Sequence, residues 1–264
     1  MSNDLGLDRS GNGNDWTVNN IAYSDQMLDS PTNNFPTWSP LTGKVGYLPT
    51  LSEGNLAVAT QGVMASMSME SGRWYWEVLA TSSDADYAVG VTDIADANST
   101  VMSGQANPAQ GFIYQANGNV RKDGAVVDVV PSFTNGDIIG FLYDALWNGY
   151  ANHLTVFKNN KQVVFYTLTD ARNEYIPCAI TLGGSFTANF GQDSSFAGAK
   201  TSQGKQDANG VGDFYYTPPL GIDSGTSNHF ALCTANLPEP TVVPSKHFNT
   251  VLYTGTGNTN NPQT

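Results

Sequence analysis

The sequence predicts an all-β fold, a two-sheet sandwich with extended arms at both ends. Three observations carry that expectation. The stretch Gly72-Arg73-Trp74-Tyr75-Trp76-Glu77-Val78 is dense in aromatic residues and alternates with a period of two. Asn-Gly and Asp-Gly pairs punctuate the middle of the chain at hairpin spacing. Between residues 51 and 195 no apolar stripe of helical period is sustained.

The aromatic stretch reads as a central strand. Trp74, Trp76 and Val78 fall on one face of an extended chain, and Arg73, Tyr75 and Glu77 on the other. A helix could bury two tryptophans two residues apart only with a wide apolar stripe, and none follows. A strand sets them side by side against a core.

The remaining elements follow in order. Residues 1 to 50 are rich in Asn, Asp, Ser, Pro and Gly, with isolated large apolar residues (Trp16, Ile21, Met27, Leu28, Phe35, Trp38) and little periodicity. They are expected to form an N-terminal arm whose apolar side chains dock on a neighbouring surface. From 51 to 220 a rhythm of strands and turns predicts the sandwich. Leu56–Thr60, Gly62–Ser68, the Trp74 strand and Tyr87–Val91 come first, followed by a long loop from Ile94 to Pro108. Gly111–Gln115, Asn119–Lys122 and Ala125–Val129 then form a meander turning at Asn117-Gly118 and Asp123-Gly124. Asp137–Asp144, Leu154–Lys158 and Lys161–Leu168 follow, the last two joined at Asn159-Asn160, and Ile176–Leu182 and Phe186–Phe190 close the set. Residues 191 to 213, rich in Gly, Ser and Gln, read as a flexible loop. Residues 221 to 264 hold a few apolar anchors between prolines and read as a C-terminal arm or a linker to a further module.

Composition narrows the function. The net charge is −12, and the 11 basic residues never cluster, so nucleic acid and anionic membranes are poor partners. Low charge with abundant Asn, Thr, Ser and Gly is similar to extracellular and virion β-proteins. Cys178 and Cys233 sit in apolar surroundings and are expected as buried free thiols. Met1 to Ser10 is polar and carries no leader-like apolar core, and no run of 18 apolar residues spans a membrane.

Five motifs in order resemble the SPRY domain: Gly72–Val78, Val89-Gly90-Val91, Asp137-Ile138-Ile139-Gly140 with Asp144, Phe157-Lys158-Asn159-Asn160, and Tyr175-Ile176-Pro177 with Asn189-Phe190-Gly191. Asn160 stands where that family usually has Gly, and Asn also visits the left-handed region. The flanks Ser10–Trp16, Asp29–Phe35, Ala231–Pro238 and Phe248–Gly255 resemble segments framing SPRY domains in tailed-bacteriophage virion proteins. The resemblance implies a bent, concanavalin-like jelly roll that binds through its loops and is not an enzyme. It implies a tail fibre, tail appendage or head decoration, made in the host cytoplasm and located in the virion, with other virion proteins as partners. A homo-oligomer, a trimer in the fibre case, follows from that setting and from no residue.

His153, His229 and His247 lie far apart with no metal-ligand spacing, and Asp84, Asp86, Asp93 and Asp96 lack a calcium-loop pattern, so no metal or cofactor is expected. No G-x-S-x-G elbow supports a nucleophile, and Glu77 reads as structural within its strand, so no catalytic residue is assigned. The loop from Ala145 to His153 displays Trp147 and Tyr150 beside Asn148, Asn152 and His153. Aromatic faces with amide neighbours suit sugar stacking and suit a protein contact equally. The 94–108 loop is a second candidate by its length. Trp16, Phe35, Trp38, Phe248 and Tyr253 are expected to anchor the arms on adjacent chains. A receptor-binding module for host-surface glycan is the runner-up, and a polysaccharide depolymerase the third reading.

Overall fold

A computed structural model describes residues 5–21, 26–30, 33–42, 48–82, 87–93, 111–147, 151–168, 174–220 and 227–238, with backbone alone at 146, 147, 151 and 182. The strands are β1 (Thr50–Ser52), β2 (Ala57–Met64), β3 (Arg73–Ala80), β4 (Ala88–Thr92), β5 (Gly111–Gln115), β6 (Asn119–Lys122), β7 (Ala125–Val129), β8 (Ile138–Trp147), β9 (Ala151–Lys158), β10 (Lys161–Leu168), β11 (Ile176–Asn189) and β12 (Phe230–Ala231). Two hairpins turn where the sequence says. Asp123 and Gly124 (φ 48° and 83°) and Asn159 and Asn160 (φ 49° and 63°) supply the paired positive φ angles of tight turns.

All strands belong to one hydrogen-bonded sheet in the order β10-β9-β8-β3-β11-β4-β5-β6-β7, with β2 along β11, β1 on β2 and β12 on β3. The long β11 turns that sheet into two layers. Its first half, Ile176–Ile180, pairs with β4, while Phe186–Asn189 pairs with β3. β2 accompanies both halves, and the register slips between Thr181 and Ser185. At the same level Thr60 and Gln61 of β2 have φ of 60° and 63°, a costly conformation for a β-branched residue. Two neighbouring strands thus kink together, and the sheet folds over on itself. The sequence pattern places strand ends at these points; the chain passes through them as bends within β2 and β11.

The space between the layers holds the main core. Trp74, Trp76, Val78 and Ala80 of β3 meet Phe112, Tyr114, Phe141, Tyr143, Phe186 and Phe190 there. Trp76 stacks on Phe141 (5.0 Å between centroids, 9° between planes). Phe112 of one layer reaches Tyr166 of the other at 4.9 Å. Cys178 and Cys233 are free and buried.

The second face of β3 is buried as well. Phe35, Phe214, Ala231 and Cys233 cover Tyr75, Leu142 and Phe157, and Phe196 covers Leu79 and Ile138. The start of the 191–213 stretch therefore differs from the flexible loop expected of it, while residues 201–206 and 208–210 are exposed. Gln192, Asp193, Ser194 and Ser195 are buried. Their polarity is spent on backbone: Gln192 Nε2 donates to Pro36 O at 2.8 Å, and the Asp193 carboxylate accepts from the Ser195 and Ala197 amides.

Phe35 and Trp38 also lie elsewhere than expected. Trp38 is fully buried in the main core, edge-on to Phe190 at 5.4 Å, and Phe35 is 4% exposed in the outer cluster. The Trp38 amide donates to Asn55 O and the Ser39 amide to Met64 O, so backbone pairing holds this stretch to its own sheet. Neither aromatic is available to an adjacent chain. At the other end β12 pairs in parallel with Trp74 and Tyr75 of β3. The folded body thus includes parts of both presumed arms.

Gly191 sits where these layers meet. Its φ is 119°, and a Cβ there would lie 2.9 Å from Phe35, 3.1 Å from Phe214 and 3.2 Å from Ala231. Gly191→Ala combines a strained backbone with overlap against three outer-layer groups. It should lower unfolding stability by about 2 kcal/mol or more. Urea titration followed by tryptophan fluorescence measures this, and an unchanged midpoint would refute it.

Candidate functional site

The outer face of the β3–β8–β9–β10 layer gathers most of the buried ionisable groups. Glu77 is fully buried there. Its Oε1 accepts from Tyr75 Oη at 2.9 Å and the Tyr216 amide at 2.8 Å. Its Oε2 accepts from Asn189 Nδ2 at 3.2 Å and the Tyr215 amide at 2.8 Å. Burial pushes this carboxyl up to about 7, and the four donors oppose the rise. No substrate can reach it. Its chemistry is to fasten residues 213–216 onto β3.

Toward the other end of β3 the register lines up Arg73, Asp144, His153 and Thr167 on four successive strands. Directly paired residues share a face, so these side chains form one row. Arg73 Nε donates to Asp144 Oδ1 at 2.7 Å. His229, from the segment leading into β12, brings Nε2 to 3.1 Å from Asp144 Oδ2 with its side chain fully covered. The Thr167 hydroxyl lies 3.3 Å from His153 Nδ1. Burial lowers the His153 pKa, partly opposed by Asp144. Phe165, 47% exposed, stacks on the His153 ring (5.1 Å, 21°).

Hydroxyl, imidazole and carboxylate thus stand in sequence across three strands. Here the two Asp144 oxygens are held by Arg73 and His229. Phe165 is the exposed aromatic beside this row. Two open grooves exist elsewhere on the described surface. One, of about 320 Å³, passes over Thr50, Ala57, Ala59, Ser185 and Thr187 beside Phe196. The other, of about 500 Å³, lies between Pro131, Lys158, Lys161 and Val163. Neither brings two carboxylates together, as polysaccharide hydrolysis requires. Among the described residues no group of three or more His, Cys, Asp or Glu could hold a metal ion.

The residues singled out from sequence scatter. His153 joins the row, although it is only 8% exposed. Asn152, its neighbour on β9, is buried at 3% and opposes Leu168. Trp147 ends β8 opposite Ala151, with its side chain outside the described residues. Asn148, Tyr150, the 94–108 loop, Phe248 and Tyr253 lie outside them too. Sequence reasoning missed Arg73, Asp144, Phe165 and His229 as one cluster. Strand register joins Arg73, Asp144 and the neighbours of Phe165, and a hydrogen bond from outside the strands adds His229; the alternation of Phe165 with Thr167 was the available signal.

The sequence matches no protein-family model and no curated protein. Solved structures of similar fold include the SPRY domain of human HERC1, at 17% identity over 57% of this chain and 96% of that one, with a TM-score of 0.43. A human SPRY domain is similar at 16% identity over 53% and 93%, with a TM-score of 0.42. The TRIM65 PSpry domain is similar at 15% identity over 59% and 92%, with a TM-score of 0.44. None of them transfers a functional residue to this chain.

The Glu77 clasp yields a signed expectation. Unfolded, the carboxyl titrates near 4.5; folded, near 7. Between those values the folded chain holds the extra proton, so this contribution is complete below about 4.5 and is lost as pH rises through 7. Glu77→Gln turns an amide N–H against the existing donors and should cost about 2 kcal/mol or more. Urea midpoints of the two proteins should lie furthest apart near pH 5 and approach one another toward pH 8. Parallel pH profiles would show that Glu77 does not titrate in this window.

Proposed function

We propose that this chain is a non-enzymatic component of a bacteriophage virion, in a tail fibre, tail appendage or head decoration. It displays a SPRY-like β-sandwich and attaches it to neighbouring virion proteins, including further copies of itself. The flank segments that resemble phage virion proteins support the setting. One structural observation carries the attachment. Segment 5–21 leaves Trp16 82%, Ile21 54%, Leu7 49% and Val18 43% exposed, while Phe35 and Trp38 are drawn into the body. The loop beneath them is closed by its own hydrogen bonds: the Trp16 amide donates to Gly6 O, and Asp8 accepts from the Ser10 and Asn14 amides. A tryptophan held this far from its own core is a contact residue awaiting a partner. Attachment therefore belongs to Trp16 and its neighbours.

The runner-up reading, recognition of host-surface glycan, draws on Phe165. A phenyl ring half exposed and backed by His153 offers a rigid platform for the apolar face of a pyranose.

Trp16→Ala should abolish incorporation into particles while leaving the thermal midpoint of the purified chain within about 2 °C. Normal incorporation would refute the attachment role. On a glycan array, Phe165→Ala should weaken any saccharide binding about tenfold. Binding that survives the change would remove Phe165 from that reading.

A further inference from the structure

Segment 5–21 and one of the two open grooves are complementary in polarity and in charge. The segment is a closed finger: the Trp16 amide donates to Gly6 O at 2.7 Å, and the Asp8 amide donates to Asp15 Oδ1 at 2.8 Å. It presents the indole of Trp16, with Leu7 and Val18 also exposed. Asp8 and Asp15 against Arg9 leave it one net negative charge. The groove of about 500 Å³ runs between Pro131 and the start of β10, with Pro131 and Val163 as apolar lining and Gln162 between them and water. Its charged lining is Lys158 and Lys161 with no acid, in a chain whose net charge is −12. Lys158 Nζ is spent on Ser132 O at 2.7 Å and Asp137 Oδ2 at 3.1 Å. Lys161 is exposed and makes no salt bridge among the described residues. The other groove has Glu53 as its one charged lining residue and would repel the finger.

We infer that the Pro131–Lys161–Val163 groove takes the Trp16 finger of a second copy of this chain. This rests on the attachment reading above and names its partner. The indole enters against Pro131 and Val163, its Nε1–H donates to the Gln162 carboxamide, and Lys161 pairs with Asp15 at the rim. The finger is already closed by its own hydrogen bonds, so little ordering opposes docking. Finger and groove are different surfaces, and the contact is therefore head-to-tail. Each copy gives its finger to one neighbour and its groove to another, and the arrangement closes as a ring or continues as a filament. One indole in one small groove is a modest contact, weak between free copies and strengthened when many act together in an assembly.

The test uses the purified full chain as an equal mixture of ordinary and isotopically heavy protein, treated with a carbodiimide that joins carboxylate to amine without a spacer. Peptide mapping should find Asp15 or Asp8 linked to Lys161 in mixed-isotope pairs. Same-isotope pairs alone would place the finger in its own chain's groove and overturn the inference, as would the absence of either link. Sedimentation gives a second reading. Trp16→Ala should leave the chain monomeric, Lys161→Glu should weaken self-association about tenfold, and adding Asp15→Lys to Lys161→Glu should restore it. Trp16→Ala keeps its groove and Lys161→Glu keeps its finger. Mixed at a concentration where each alone is monomeric, they should form pairs and nothing larger. A mixture that stays monomeric, or association untouched by Trp16→Ala, would refute the head-to-tail contact. If wild-type protein enters particles but its copies never link in this way, the inference falls and the attachment reading stands. If the copies link as stated and no particle takes up the chain, the virion reading alone falls.

Discussion

A carboxylate cannot lie between two protein layers unless its lone pairs are met, and Glu77 meets this requirement from three separate parts of the chain. Tyr75 belongs to its own strand, Asn189 to the end of β11, and the amides of Tyr215 and Tyr216 to the covering segment. The sheet and its cover are thereby registered to one point with angular precision that apolar packing lacks. Asn189 extends the arrangement, since its amide also donates to Asp213 O while its Oδ1 accepts from the Gly191 and Asp193 amides. Everything downstream of β11 is aimed by these contacts. The Phe214 ring lands on Tyr75, 5.0 Å away, and the path to β12 is set.

The same device recurs across the outer layer. Asp29, Asp144, Asp193 and Asp207 each accept from backbone amides or a side chain of a segment remote from them or looping over them. In a chain with few charged residues, the buried Asp193 and Asp207, the half-buried Asp144 and the exposed Asp29 serve as fasteners for irregular backbone. Irregular segments offer no continuous apolar face, so hydrogen bonds must give them position. The main core needs no such help. Its strands pair with one another, and its rings stack across the layers.

How much of this was legible follows from that difference. Strand alternation marked Trp74, Trp76 and Val78 correctly as core, and Asn-Gly and Asp-Gly marked the hairpins, because both signals are local. The kinks at Thr60–Gln61 and at Gly183–Gly184 showed only as breaks between runs, since chain continuity through a bend leaves no trace in periodicity. Residues 191–213 read as loop because Gly, Ser and Gln are loop residues, yet Gln192 to Phe196 and Asp207 are buried, the polar ones with hydrogen bonds made. Phe35 and Trp38 lacked any rhythm, so nothing nearby told whether they cover this chain or another. The row from Arg73 to Thr167 is a product of register across four strands, to which no single stretch of sequence points. Glu77, by contrast, was read as structural because it lies in the strand that resembles the SPRY motif.

The shared bend in β2 and β11 has a consequence for biosynthesis. Because one pair of strands serves both layers, neither layer can close while β11 is still unmade. On the ribosome, β2 has only the short β1 beside it until the whole stretch from Ala65 to Tyr175 is made and β11 follows. The nascent chain therefore carries Trp74, Trp76 and the β4–β5 hydrophobics uncovered until β11 follows, and the outer face of β3 stays open until Phe214 and Ala231 are made.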